Sequence, residues 1–193
     1  MSAEAFALRT HEEMKPVLAY PDASGPAAHY YMIRGGSAKG NVTVWEAGSV
    51  DGEYIKSFGH YHVDQLPEVY RVLAGEGIAL LQKRKGGKQD ELEHFLAIPF
   101  KSGDRLDIPV GYGHLLVNTG PSFLVTVDDS PVAGVGDSAS MPLHADYEPV
   151  RAMRGFAYYV IEHDGAPALV KNRLYKAIEK EDLANIKILD RFE

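Results

Sequence analysis

Apolar and polar residues alternate with a period of two in nine short runs rich in β-branched and aromatic side chains. These are Tyr30–Ile33, Val42–Glu46, Glu68–Leu73, Ile78–Gln82, His94–Ile98, Arg105–Ile108, Phe123–Asp128, Phe156–Glu162 and Ala168–Lys171. On an extended chain, alternate side chains point to opposite faces, so each run predicts a strand with one buried face. Turn chemistry separates the runs at Gly35-Gly36, Asp51-Gly52, Gly86-Gly87, Thr119-Gly120-Pro121 and Asp164-Gly165, where Gly and Asp tolerate the tight backbone that a reversal needs. The basic group Lys83-Arg84-Lys85 with Lys88 flanks one of these pairs and predicts a solvated hairpin tip. Helical signals are confined to the ends: Thr10 caps His11–Lys15 ahead of Pro16, and Glu179–Leu189 has the spacing of a short amphipathic helix. Ser130–Leu143, rich in Ser, Gly, Ala and Pro, predicts a long loop, either a binding lid or a plain surface connection. The pattern as a whole is all-β, a sandwich or barrel with short peripheral helices.

The 193 residues fit one domain at roughly 100–200 residues per domain, and 45% apolar residues can fill a single core. Cysteine is absent, which excludes disulfides, thiolate metal sites and Cys nucleophiles, so any metal must sit on His and carboxylates. Lys and Arg number 20 against 27 Asp and Glu, a formal charge of -7 that opposes binding to a polyanionic backbone and argues against nucleic acid as a partner. Met1–Ala19 is interrupted by charges, and no run approaches the ~18 apolar residues of a membrane span. A cytoplasmic protein with no membrane association is expected.

The chemistry concentrates on three of the eight histidines. In Gly59-His60-Tyr61-His62 the two imidazoles are one residue apart and share a face of an extended chain, which is half of a metal site. Glu68 follows six residues after His62 and opens the next strand. His114 lies in GDRLDIPVGYGHLLVN, where Pro109 and the glycines around Tyr112 would turn the backbone sharply ahead of it.

These two segments resemble the paired motifs of the cupin superfamily. Gly103, Pro109, Gly111, His114 and Asn118 meet every fixed position of the second motif, and His60, His62, Glu68 and Gly75 those of the first. The resemblance implies a double-stranded β-helix, or jelly roll, holding one divalent metal on His60, His62, Glu68 and His114. Such a mixed N/O donor set suits Fe, Mn, Ni, Co or Zn, and not the all-oxygen preference of Mg or Ca; the resemblance puts Fe first. The strings GHYHVDQLPEVYRVLAGEGIALLQ and DYEPVRAMRGFAYYVIEHDGAPALVKNRLY, together with the His114 segment, are similar to the cupin-type glucose-6-phosphate isomerase family over roughly residues 40–175. That resemblance implies a single cupin domain over residues 1–193, with an N-terminal extension to residue 36, a core from 37 to 175 and a C-terminal segment from 176.

The same resemblance implies roles for further residues. Glu68 becomes the proton carrier as well as a ligand, with Tyr70 beside it as a catalytic cavity residue. Thr43, Ser57 and Gly59 fall where the family binds the sugar phosphate, and His144 and Tyr147 where it borders the substrate. Read as residues alone, Thr43 is equally a β-branched strand position, and Tyr70 and Tyr147 are equally core aromatics. Three departures stand out: Ser57 replaces a Thr, the spacer before Glu68 is slightly longer than the general cupin pattern and slightly shorter than in archaeal members, and Asp128-Asp129 replaces a pocket Tyr. Two carboxylates there would repel a dianion. His29, His94 and His163 match no motif and read as packing or surface residues, and Lys56 and Lys101 carry no assignment.

The implied activity is interconversion of glucose 6-phosphate and fructose 6-phosphate through a cis-enediol. A metal-dependent oxidoreductase of dioxygenase or decarboxylase type, and a non-catalytic sugar-binding cupin, are the alternatives that the same donor set allows. Open sheet edges predict a homodimer, to which Ser2–Gly36 would contribute a strand or helix reaching the partner.

Overall fold

The structure is a computed structural model and describes residues 6–37, 40–130 and 144–190. From the N-terminus, β1 (Phe6–Thr10) leads through one helical turn, α1 (His11–Met14), to the hairpin of β2 (Ala28–Ser37) and β3 (Gly40–Trp45). Short strands β4 (Ser49–Val50), β5 (Glu53–Tyr54) and β6 (Tyr61–His62) precede β7 (Glu68–Ala74) and the long hairpin β8 (Glu76–Arg84) and β9 (Glu91–Lys101). Then come β10 (Arg105–Ile108), β11 (Gly113–Asn118) and β12 (Leu124–Asp128). The last part holds β13 (Ala145–Asp146), α2 (Glu148–Ala152), the hairpin β14 (Tyr158–His163) and β15 (Ala166–Lys171), and three short strands, β16 (Ala177–Ile178), β17 (Glu181–Asp182) and β18 (Lys187–Leu189).

One sheet runs β1-β2-β3-β12-β7-β10, a second β11-β8-β9-β16, and a third β18-β15-β14-β5-β4. A single apolar cluster joins them: Trp45, Val72 and Leu124 of the first sheet belong to it with Leu80, Phe95 and Leu115 of the second and Leu169 of the third. This is the expected all-β double-stranded β-helix. Alternation does the sorting, since on β3 and β12 every second residue is buried. The strand registers then align the buried residues in rows across the first sheet. Tyr30, Trp45 and Leu124 form one row, Met32, Thr43, Thr126 and Val72 the next, and Asn41, Asp128 and Tyr70 a third. The second row carries two hydroxyls and the third is entirely polar-tipped, so the cavity between the sheets turns polar toward Asn41.

The nine predicted strands are all present, each end within four residues of its predicted place. β11 was not among them, because GHLLVN shows no alternation; all six residues are buried, as happens when both faces of a strand are covered. Thr10 does cap α1, with Glu13 closing a reciprocal capping box. The Lys83–Lys88 region is indeed a hairpin tip, with Lys83 ion-paired to Glu93 at 2.6 Å and Lys88 to Glu91 at 2.6 Å.

The helix expected over Glu179–Leu189 is a correction. The segment is extended: just after β16, which pairs in parallel with β9, β17 continues in parallel with β9, and β18 runs in parallel with β15. A lone helix of this length is marginal in water, whereas two open sheet edges offer its backbone partners, such as Lys180 O accepting from Phe95 N at 2.9 Å. Leu183 and Ile186 pack on the core from this extended path. The N-terminal extension supplies β1, which pairs with β2 of its own chain. Of the expected loop Ser130–Leu143, only Ser130 lies within the described residues. No helix among the described residues is long and apolar enough to cross a membrane.

Candidate metal centre and cavity

His60 and His62 flank Tyr61, and period two separates them as expected. Tyr61 turns outward from the site, 5% exposed, with its hydroxyl accepting from Gln82 Nε2 at 2.8 Å. His60 and His114 are paired backbone to backbone, His60 N to His114 O at 3.2 Å and His114 N to His60 O at 3.0 Å. Their rings therefore emerge side by side, with centroids 4.4 Å apart. Before His114, Gly111 takes the turn at φ +81, but Gly113 has another cause: a Cβ there would lie 2.6 Å from the Tyr61 ring. Opposite, Glu68 opens β7 and pairs with Ile108.

The four side chains each bring a donor atom within 4.8 Å of the others. His62 Nδ1–H donates to the carbonyl of Leu66 at 2.8 Å, which sets the tautomer and leaves Nε2 as a lone pair, 3.5 Å from Glu68 Oε2. His114 Nε2 lies 2.8 Å from the same oxygen. His60 Nε2, His62 Nε2 and Glu68 Oε2 are buried without a hydrogen-bond partner. Each such atom costs about 1–3 kcal/mol when left unsatisfied, and a divalent cation among them would satisfy all three. The residues fit a metal by charge, donor type and spacing.

The electrostatics agree. Burial, then His114, holds His60 well below the usual imidazole range, so it stays neutral and available as a ligand. Burial alone would raise Glu68, but the His114 and His62 imidazoles reverse this and hold the carboxylate well below its usual range. For His62 burial pulls down, and the contact with Glu68 prevails and raises it.

Every other predicted site residue reaches the same cavity. Thr43, Ser57, Gly59, Tyr70, His144 and Tyr147 line it together with His60, Glu68 and His114. His62 takes part in the donor cluster without lining the cavity. Tyr70 Oη stands 3.4 Å from His114 Nε2, and Tyr147 packs on His60 with ring centroids 5.5 Å apart. Burial, then Tyr30, pushes the Tyr147 hydroxyl up to about 12, so it remains a donor.

Sequence reasoning missed Tyr30, Trp45, Arg34 and Ser130, which also line the cavity. Tyr30 Oη accepts from Arg9 Nε at 3.2 Å and from Phe58 N at 3.3 Å, so its own O–H is left to donate elsewhere. Trp45 carries a buried Nε1–H with no partner. The concern over Asp128-Asp129 is resolved by their directions. Asp129 turns away and accepts from Val69 N at 2.8 Å, while Asp128 faces inward toward Arg34 and is raised to about 6 by burial and by Glu68. Only one carboxylate of the pair enters the cavity, and it comes with a cation.

A β-helix whose interior presents three imidazoles and a carboxylate defines a cupin with a metal-type donor set. Residues 8–177 match the glucose-6-phosphate isomerase family, and the chain belongs to that family in its cupin-type form. Among solved structures it is similar to a predicted oxalate decarboxylase from Thermotoga maritima, with 19% identity, a TM-score of 0.40 and coverage of 65% of this chain and 90% of that one. It is also similar to the cupin domain of Drosophila melanogaster CENP-C, with 15% identity, a TM-score of 0.37 and coverage of 56% and 74%. An oxalate oxidase in complex with the substrate analogue glycolate shows 16% identity, a TM-score of 0.38 and coverage of 69% and 55%, so the chain spans about half of that protein's length. No curated protein matches the sequence.

Proposed function

We propose that the protein interconverts glucose 6-phosphate and fructose 6-phosphate, with one divalent transition metal, Fe first, on His60, His62, Glu68 and His114. The observation that carries this reading is the meeting, in one cavity, of the donor cluster with a set of neutral hydrogen-bond donors at Tyr30, Thr43, Trp45 and Ser57. A phosphate dianion needs several donors, and these strands supply them without a lysine. Ser57 Oγ accepts from Leu116 N at 3.0 Å, which turns its proton toward another partner. Arg9 lies behind Tyr30, stacked at 5.6 Å on the Tyr147 ring, and makes that end of the cavity electropositive.

When bound, the metal would act as a Lewis acid on the substrate's carbonyl and hydroxyl oxygens and stabilise enediolate charge. Glu68 takes the proton from C2 and returns it to C1 while the hydroxyl proton of O2 passes to O1, so no atom is gained or lost overall. Ser130 Oγ donates to Glu68 Oε1 and thereby fixes the plane of the carboxylate. Tyr70, whose ionisation is pushed well above its ordinary value by burial and by Glu68, stays protonated and orients the substrate as a donor. Tyr147 and His144 close the side of the cavity next to His60. The homodimer belongs to the same proposal: β1 forms an outer edge of the six-stranded sheet, with Leu8 and Ile33 exposed beside it.

The test is a coupled isomerisation assay on chelator-stripped protein reloaded separately with Fe(II), Mn(II), Ni(II) and Zn(II), with metal content measured. Turnover restored at one metal per chain is the expected result. Metal uptake without isomerisation would leave the donor site standing and overturn the activity, and dioxygen consumption would then point to the oxidoreductase alternative.

A further inference from the structure

Away from the metal cavity, a second cleft of about 320 Å³ lies at the open end of the β14-β15 hairpin, at the small end of the ~300–1,000 Å³ range of small-molecule sites. No residue lines both cavities. The walls of the cleft are tied together by buried hydrogen bonds. Asn172, 4% exposed, donates from Nδ2 to Met153 O at 2.8 Å and to Phe156 O at 3.1 Å, and accepts from Leu174 N at 3.1 Å. Tyr159 donates its O–H to Arg154 O at 2.6 Å. These bonds join the turn after β15 to the connection between α2 and β14. They also hold Arg154 at a φ of +54, a left-handed backbone that residues other than glycine rarely take.

Charge sets this cleft apart. Arg154, Lys171 and Arg173 line it with one carboxylate, Asp190. Among the described residues none of these three cations forms an ion pair, with Asp190 or with any other acid, whereas cations nearby do: Arg151 pairs with Glu148 at 3.4 Å and Lys187 with Asp164 at 3.9 Å. Lys56, 4.8 Å from the Tyr159 ring centroid, is bonded to Glu53, so that pair adds no net charge. Two guanidinium groups and an ammonium against one carboxylate leave two positive charges in excess, on a chain whose formal total is -7. Like charges gathered in one cleft repel, and a bound anion removes that cost.

We propose that this cleft binds a small organic dianion, of the phosphate monoester or dicarboxylate kind, at a site separate from the metal cavity. Arginine suits both groups, because its planar fork donates two parallel N–H bonds to two oxygens. Ala19, Val170 and Leu174 give the cleft an apolar side for the carbon skeleton. The site stands whether or not the metal cavity isomerises sugar phosphates, since it shares no lining residue with it.

The test is amide-resolved NMR on the full chain loaded with diamagnetic Zn(II), titrated separately with glycerol 2-phosphate, succinate and inorganic phosphate, with potassium chloride at equal ionic strength as the control. Saturable shifts at the amides of Arg154, Gly155, Lys171, Arg173 and Leu174 are expected with glycerol 2-phosphate or succinate at a dissociation constant of about 1 mM or tighter, and the two arms tell a phosphate site from a carboxylate site. Arg154→Gln, Lys171→Gln and Arg173→Gln are each expected to weaken binding roughly 3- to 10-fold, and the triple variant to abolish it, with phosphate shifts at Ser57 and Gly59 unchanged. Shifts that stay linear with every dianion, or that the triple variant retains, overturn the inference. Shifts that appear only when residues 191–193 are deleted assign the cleft to the chain's own C-terminus and overturn it as well. Phosphate shifts missing at Ser57 and Gly59 but present at the cleft count against the isomerase reading and leave this site standing. Amide dispersion and unfolding midpoints check folding; should Arg154→Gln disturb its turn, Lys171→Gln and Arg173→Gln, both at exposed positions, decide the question.

Discussion

Among the described residues, two buried clusters of His and carboxylate side chains differ in how their polar atoms are paired. In the first, His60, His62, Glu68 and His114 point lone pairs at one another, and three donor atoms have no hydrogen-bond partner. In the second, His11 Nε2 donates to Ala23 O at 2.9 Å, so its Nδ1 is an acceptor and receives His29 Nε2–H at 3.0 Å. Close by, Lys56 bonds Glu53 and donates to Val17 O at 2.7 Å, and Glu53 Oε2 accepts from Ala19 N at 2.8 Å. Of that second group only His29 Nδ1 is unpartnered. Donor meets acceptor in the second cluster, which ties residues 17–19 and α1 to the sheets, whereas acceptor meets acceptor in the first, which asks for a cation. Residue type does not separate a ligand set from a structural network; the pairing of donors with acceptors does.

The strongest way to break the comparison is to remove an imidazole from each cluster. His60→Ala or His114→Ala is expected to empty the metal site and cut isomerase turnover by on the order of 1,000-fold or more, checked by metal analysis and the coupled assay, with folding kept. A variant that held metal and turned over normally would reverse the assignment of the first cluster. Lys56→Met should act on stability instead, costing about 3–5 kcal/mol because Glu53 is left buried and unpaired, with metal content per folded chain unchanged. Denaturant midpoints measure this, and replacing Glu53 and Lys56 together by apolar residues should recover most of the loss.

His29 sharpens the contrast through pH. Burial, then His11 and Lys56, lowers it from 6.5 to about 4. The unfolded chain binds a proton below pH 6.5 that the native chain refuses until about 4, so stability is full above that window and falls as pH drops through it. The loss reaches on the order of 3 kcal/mol, and His29→Gln should flatten the slope in urea titrations between those limits. The smallest effect belongs to the donor end of the cavity. Thr43→Val should raise KM for glucose 6-phosphate about 5- to 10-fold with kcat nearly unchanged, as expected for one neutral hydrogen bond.

The donor cluster was legible because each part of it is local. HxH on an extended chain puts His60 and His62 on one face, and the glycine and proline positions around His114 mark its turn. The strands with one buried face were legible by alternation for the same reason. β11 was not, since burial on both faces erases the period, and Glu179–Leu189 misled because apolar residues three apart suit a helix and also an extended strap across sheet edges. Tyr30, Trp45 and Arg34 carried no signal of a site role, and Ser130 was marked only as the start of a long loop. Each is an ordinary residue of its strand or loop, and each joins the site only through the neighbours that sheet order provides.

The sequence by itself therefore determined the class of fold, the four metal-type donors and the family, because period, turn chemistry and motif spacing act over a few residues. Tertiary structure decided which carboxylate of Asp128-Asp129 faces inward, where the C-terminal segment runs and which donors meet across the cavity. Those depend on strand register and on which sheet edges are open, and contacts between residues as distant as Asn41 and Asp128 exist only once the chain has closed on itself.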